Sequence, residues 1–70
     1  MCYSISVLIA GAVEEFYLYD DVLAEDVHQV RDHFAELVEQ YENEPLTEDL
    51  EIVLYDMVYG STIDEYRRFE

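Results

Sequence analysis

Three basic residues cannot neutralise eighteen acidic ones. The chain carries a formal net charge of −15 over 70 residues and contains no lysine. Small domains ordinarily hold a net charge of magnitude ~2–8 with both signs interspersed, and self-repulsion at this excess works against a compact state. Charge alone would also fit a disordered chain, but disorder needs few apolar residues. Here 51% of residues are hydrophobic, seven are tyrosine and three phenylalanine, while Gly and Pro together number three. Such a composition belongs to a folded unit. At this length it is a single domain, residues 1–70, which buries only about 60% of its unfolded surface.

The first segment alternates. Tyr3, Ile5, Val7 and Ile9 fall on one face and Ser4, Ser6, Leu8 and Ala10 on the other, the period of a half-buried strand. Gly11-Ala12 follows and fits a type II′ hairpin turn with glycine in the first central position. A two-residue loop there pairs Ala10 with Val13. It sets Val7 opposite Phe16 and Ile5 opposite Leu18 on one face, and Ser4 opposite Tyr19 and Ser6 opposite Tyr17 on the other. Apolar then meets apolar. Two strands alone are marginal in water, so a helix is needed over the apolar face.

Leu23, Val27, Val30, Phe34, Leu37 and Tyr41 supply it, spaced by four and three. Asp20 or Asp21 is the expected cap, with Glu25 and Asp26 near the positive end of the dipole. Asn43-Glu44-Pro45 ends the helix, because the residue before proline avoids the helical region. Thr47 reads as a second cap. Leu50, Val53, Leu54, Met57 and Val58 keep helical spacing, and Gly60 sits where a C′ glycine belongs. The β-branched and tyrosine content of the same stretch also permits a strand. Thr62 to Glu65 matches a capping box. It would open a short closing helix through Phe69, with Asp64 spaced to pair Arg67 or Arg68. The expected fold is therefore α+β: an N-terminal antiparallel hairpin packed against a long amphipathic helix, a second helix and a short C-terminal helix. A second helix apolar nearly all round suggests a homodimer, which the charge opposes.

Most catalytic chemistry lacks its parts. His28 and Asp32 share a helix face, but His33 is five residues from His28 and points elsewhere, so no metal site is expected. Cys2 reads as a structural thiol at the start of a strand; nucleophilic use needs a larger scaffold with an oxyanion site. No Ser/His/Asp set or Gly-rich phosphate loop occurs. The reading is a protein that is not an enzyme and uses no cofactor. A single cysteine excludes an internal disulfide framework and suits a reducing, cytoplasmic compartment. No apolar run approaches the ~20 residues of a membrane span. Direct binding to nucleic acid or to an anionic membrane is opposed by charge.

The carboxylates carry the functional reading. Asp21, Glu25, Asp32, Glu36 and Glu39 lie two residues from members of the apolar stripe, about 200° around a helix and so on its outer side. Asp32 and Glu36 are like charges four apart, which costs ~0.2–0.5 kcal/mol. Glu39, Glu42 and Glu44 crowd the end where the dipole prefers cations. Such rule-breaking concentrates at functional surfaces. A row of carboxylates extended by Glu14, Glu15 and Asp20 approaches the charge density of a nucleic-acid backbone, about one charge per 1.7 Å of duplex axis. Tyr17, Tyr19, Tyr55 and Tyr59 would fill apolar gaps at contact.

In size and charge, over its whole length and without a shared motif, the chain resembles the small acidic phage-encoded inhibitors that act as DNA mimics, several anti-CRISPR proteins among them. The resemblance implies a target with a basic DNA- or RNA-binding channel, such as a CRISPR effector, nuclease or repair enzyme, met in the cytoplasm of a bacterial host. The alternative is an acidic protein-interaction module of antitoxin, immunity or adaptor type. It would bind through Tyr55, Tyr59, Ile52 or the hairpin face.

Overall fold

A computed structural model of the chain describes residues 1–45 and 47–69. Alternation in the first segment produces β1 (Tyr3–Ile9), which turns into β2 (Ala12–Tyr19). A 3-10 turn at Ala24–Asp26 leads into α1 (Val27–Glu42), the one α-helix among the described residues, followed by β3 (Leu50–Asp56) and β4 (Ser61–Arg68). The strands form one antiparallel sheet in the order β2-β1-β3-β4. The helix covers one face of it.

The second and third helices expected from the sequence do not form; their residues make the β3–β4 hairpin. Leu50, Ile52 and Leu54 also recur with period two, and all three are buried while Glu51, Val53 and Tyr55 between them are only half-buried. The deciding interaction is long-range. β1 has a second edge of backbone donors and acceptors, and β3 satisfies it from Tyr3↔Asp56 to Ile9↔Leu50. Gly60 does need positive φ (68°), but in a turn and not at a helix end. There the Asp56 carboxylate accepts from the backbone N–H of Val58 at 2.9 Å and of Tyr59 at 3.1 Å. Thr62 and Glu65 lie on β4, opposite Tyr55 and Val53.

The first hairpin forms with a different turn and register. Its two central residues are Ala10 (φ 54°) and Gly11 (φ 82°), the two positive values of a type I′ turn. Leu8 pairs with Val13 and Val7 with Glu15, so Glu14 is an extra, bulged residue. Beyond the bulge Ile5 faces Tyr17 and Ser4 faces Leu18. This is one residue out of step with the expected pairing, and one residue reverses every side chain. Glu15, Tyr17 and Tyr19 therefore join the helix-covered face, and Phe16 and Leu18 pass to the open face.

Under the helix, Val30, Phe34 and Leu37 pack on Tyr3, Ile5 and Val7 of β1 and on Leu50, Ile52 and Leu54 of β3. Ile5, Val7, Leu50 and Ile52 are completely buried. Burial of one such side chain contributes ~1.5–3 kcal/mol, so these two central strands and one helix stripe hold the fold. The helix begins later than Asp20 or Asp21, with Asp26 as its N-cap residue and no side-chain cap bond. Its acidic C-terminus receives a cation from elsewhere in the chain. Arg68 of β4 donates from Nη1 to the carbonyls of Tyr41 (3.2 Å) and Glu42 (3.4 Å) and from Nη2 to that of Glu44 (3.1 Å). Asp64 is not its partner, nor that of Arg67, which pairs with Glu65 at 3.2 Å and Glu51 at 3.8 Å.

Candidate partner-binding surfaces

α1 turns its apolar stripe to the sheet, and this places Asp32, Glu36 and Glu39 along the opposite side. All three are exposed, and none has an ion pair among the described residues. The row spans about 10 Å at 1.5 Å per residue. Glu25 is exposed in the 3-10 turn ahead of it. The helix fixes the backbone of this row while its side-chain ends remain free to engage another molecule.

The other acidic candidates stand apart. Glu14 is exposed in the bulge near the first turn. Asp20 and Asp21 follow the far end of β2, where the Asp20 carboxylate accepts from the Asp21 N–H at 3.0 Å. Glu15 is half-buried and held by two tyrosines: Tyr17 donates to its Oε1 at 2.6 Å, and the Tyr41 hydroxyl donates to its Oε2. Those two hydrogen bonds, that of Tyr17 first, keep the Glu15 carboxyl below its ordinary range against the opposing effect of burial. The same bond raises Tyr17, and Tyr41 is pushed up to about 12, chiefly by its bond to Glu15.

The tyrosines are likewise divided. Tyr17 and Tyr19 stand under the helix edge against His33, with ring centroids 4.5 Å and 5.7 Å from it and edge-on geometry. The Tyr19 hydroxyl also hydrogen-bonds His33 Nδ1. Tyr55 is half-buried on the open sheet face, and Tyr59 is 79% exposed at the tip of the second hairpin. Ile52 is fully buried in the core and offers nothing to a partner. The twelve candidates thus occupy the outer helix face, the 3-10 turn ahead of it, the helix–β2 seam, the ends of β2, the open sheet face and the second hairpin tip.

Two further surfaces emerge that pattern reading missed. A groove of about 460 Å³ runs between α1 and β4 with Phe34, Ala35 and Val38 in its wall and Arg31 and Asp64 at its margins. The open sheet face presents Phe16 and Leu18, each 55% exposed, beside Val13. Correct register would have revealed the latter. Arg68 had a signal of its own: a helix whose last turn holds no base needs a cation from elsewhere, and the chain has only three arginines.

The thiol of Cys2 sits 3.9 Å from Met57 Sδ. Burial and then the Asp20 charge push it above its ordinary pKa, the reverse of what activates a nucleophile. His28 Nδ1 contacts the Glu25 carbonyl at 3.0 Å. Among the described residues no three His, Cys, Asp or Glu side chains gather around one point, and no helix is long and apolar enough to cross a membrane. No protein-family model matches the chain, and no curated protein or solved structure matches it at a significant level.

Proposed function

We propose that this protein inhibits a nucleic-acid-binding protein by occupying its basic surface, with the outer row of α1 standing in for a phosphate backbone. The observation that carries the reading is the exposed, unpaired row Asp32, Glu36 and Glu39 on a chain of net charge −15. Packing explains the apolar stripe and Arg68 offsets the helix dipole, but no ion pair among the described residues accounts for the row. A rigid run of like charges steers toward a cationic groove at long range and forms charge-assisted hydrogen bonds with Arg and Lys on arrival. The setting in this proposal is cytoplasmic, the targets are CRISPR effectors, nucleases or repair enzymes, and the activity is exclusion of substrate without catalysis.

The test is competition. A target captured from bacterial lysate is titrated with labelled DNA or RNA in the presence of this protein. The expected outcome is a nucleic-acid affinity that falls in proportion to the protein added. A target that binds both ligands at once, with neither affinity changed, contradicts the proposal.

A second reading has its own observation. Val58 (62% exposed) and Tyr59 form an apolar hairpin tip, as an interaction module of antitoxin, immunity or adaptor type would use. In that case Tyr59→Ala abolishes capture of the target, and neutralising the helix row does not.

A further inference from the structure

One helix cannot cover a four-stranded sheet. With its side chains a helix is ~10–12 Å across, while four strands ~4.8 Å apart span ~14 Å between their outer axes. α1 lies over the central strands β1 and β3, so a trench is left along each outer strand. The protein fills one of them itself. Beside β2, Tyr17 and Tyr19 pack edge-on against His33, and Tyr41 reaches across to Glu15. The trench beside β4 is treated differently. Arg68 donates to the last helical carbonyls, yet about 460 Å³ stays open between α1 and β4. That volume falls within the ~300–1,000 Å³ of clefts that hold ligands.

Helical spacing explains what lines the trench. Arg31, Ala35, Val38 and Glu42 follow one another by four, three and four, and so form one stripe on the β4 side of α1. Ala35 has the smallest side chain of the four and leaves the trench its room. Phe34, only 8% exposed, adds an aromatic wall. Each member of the acidic row stands one position after a member of this stripe: Asp32 after Arg31, Glu36 after Ala35, and Glu39 after Val38. One position is about 100° round a helix, so a molecule lying on the row reaches the trench as well.

The margins carry both signs. Glu39 and Glu42 stand toward the C-terminal end of α1. Asp64 stands on β4, where its carboxylate also accepts from the Glu65 N–H at 2.9 Å. Arg31 lies about 12 Å from Glu39 and about 16 Å from Glu42 along the helix axis. Arg31, Glu39 and Glu42 have no ion pair among the described residues.

We infer that the trench between α1 and β4 seats an apolar side chain from a basic polypeptide segment of the target. Glu39 and Glu42 take the cations flanking that side chain, and Arg31 donates to a main-chain carbonyl of the segment. Charge selects this occupant. A second copy brings its own −15 and nucleic acid its phosphates, so both are repelled. A simple polycation satisfies the carboxylates but gives Arg31 no acceptor and leaves the apolar wall wet. A polypeptide with an apolar residue between basic ones meets all three demands, as an anchor in a pocket with a polar rim. The inference rests on the proposed function for its partner, a basic protein. It adds that the partner is held by shape as well as by charge.

Two capped pentapeptides of equal charge, Lys-Lys-Leu-Lys-Lys and Lys-Lys-Ser-Lys-Lys, test it when titrated into the unaltered chain at ~0.15 M salt and followed by amide NMR. The serine peptide should move the acidic row alone. The leucine peptide should also move Phe34, Ala35, Val38 and Asp64, and should bind at least about tenfold tighter, ~1.4 kcal/mol. Ala35→Gln places a longer neutral side chain in the trench at an exposed position, with a good helix former. It should bring the two peptides to equal affinity. Equal affinity for the unaltered chain overturns the inference. So does a leucine preference that survives Ala35→Gln, or one whose shifts map to the open sheet face. Each of these leaves the proposed function standing, because that reading needs only the row. A target indifferent to nucleic acid ends that reading and leaves the leucine preference in place.

Discussion

The two hairpins share one plan and finish it differently. Each contributes a central strand, β1 or β3, and an outer strand, β2 or β4, with one extra residue bulged in the outer strand: Glu14 in the first and Ile63 in the second. Each outer strand also holds the helix by a polar contact. β2 does so with Glu15 and Tyr19 against Tyr41 and His33, and β4 with Arg68 against the last helical carbonyls. On the opposite side they diverge. β2 shows Phe16 and Leu18, whereas β4 shows Glu65 and Arg67. Shared features thus belong to folding, and the divergence is free to serve binding.

Substitutions can break that division. The largest effect belongs to the central strands. Ile52→Ala should cost ~2–5 kcal/mol by transfer and cavity terms, read as a large drop in denaturant midpoint. Phe16→Ala should stay below ~1 kcal/mol when measured at low protein concentration, because its ring is already half in water. Equal losses would mean that the open face contributes to folding.

Next come the helix contacts. Arg68→Ala should cost ~1–2 kcal/mol, as three carbonyls at a helix end lose a cationic donor. Glu15→Gln should cost about 1 kcal/mol near neutral pH, with a clear sign of pH dependence. The folded carboxyl of Glu15 lies below its ordinary pKa, so its contribution is complete above the ordinary carboxylate range, ~4.3. That contribution is lost as pH falls through the folded value. The gap between parent and variant in a melting series should close on acidification. For Tyr41, raised to about 12, the contribution is complete below ~10 and fades as pH rises through the folded value. A gap that widens in acid contradicts the assignment.

The smallest effect sharpens the first turn. Ala10 holds a positive φ that its Cβ disfavours. Ala10→Asn makes the Asn-Gly pair that type I′ turns prefer and should raise stability by ~0.5–1 kcal/mol, several degrees in melting temperature at this chain length. A lower melting temperature would contradict the type I′ geometry.

Half of this architecture was legible in the chain. Alternation over Tyr3–Ile9 marked the strand, glycine marked the turn, and the stripe from Leu23 to Tyr41 marked the helix, although Leu23 itself lies ahead of α1 and is exposed. The turn was placed one residue late because Gly11 suits either central position and nothing local identifies Ala10 as left-handed. That step alone moves the pairing by two and keeps the faces; the bulged Glu14, which no local signal marks, moves it back by one and hid the partial burial of Glu15, Tyr17 and Tyr19 and the exposure of Phe16 and Leu18. The second hairpin was obscured for another reason. Leu50, Val53, Leu54, Met57 and Val58 fit a helix as well as Leu50, Ile52 and Leu54 fit a strand. The tie is broken by the open edge of β1, more than forty residues earlier in the chain. The outer helix row was readable because it follows from helical spacing alone. The remaining acidic candidates scatter because their positions depend on tertiary structure.

The most direct test is to neutralise that row. Asp32→Asn, Glu36→Gln and Glu39→Gln together remove three charges and leave the buried stripe untouched. Binding to the captured target should weaken at least tenfold at low salt, ~1.4 kcal/mol or more, and its dependence on salt should flatten. Undiminished affinity with an unchanged salt slope would mean that the partner does not read the charges on α1.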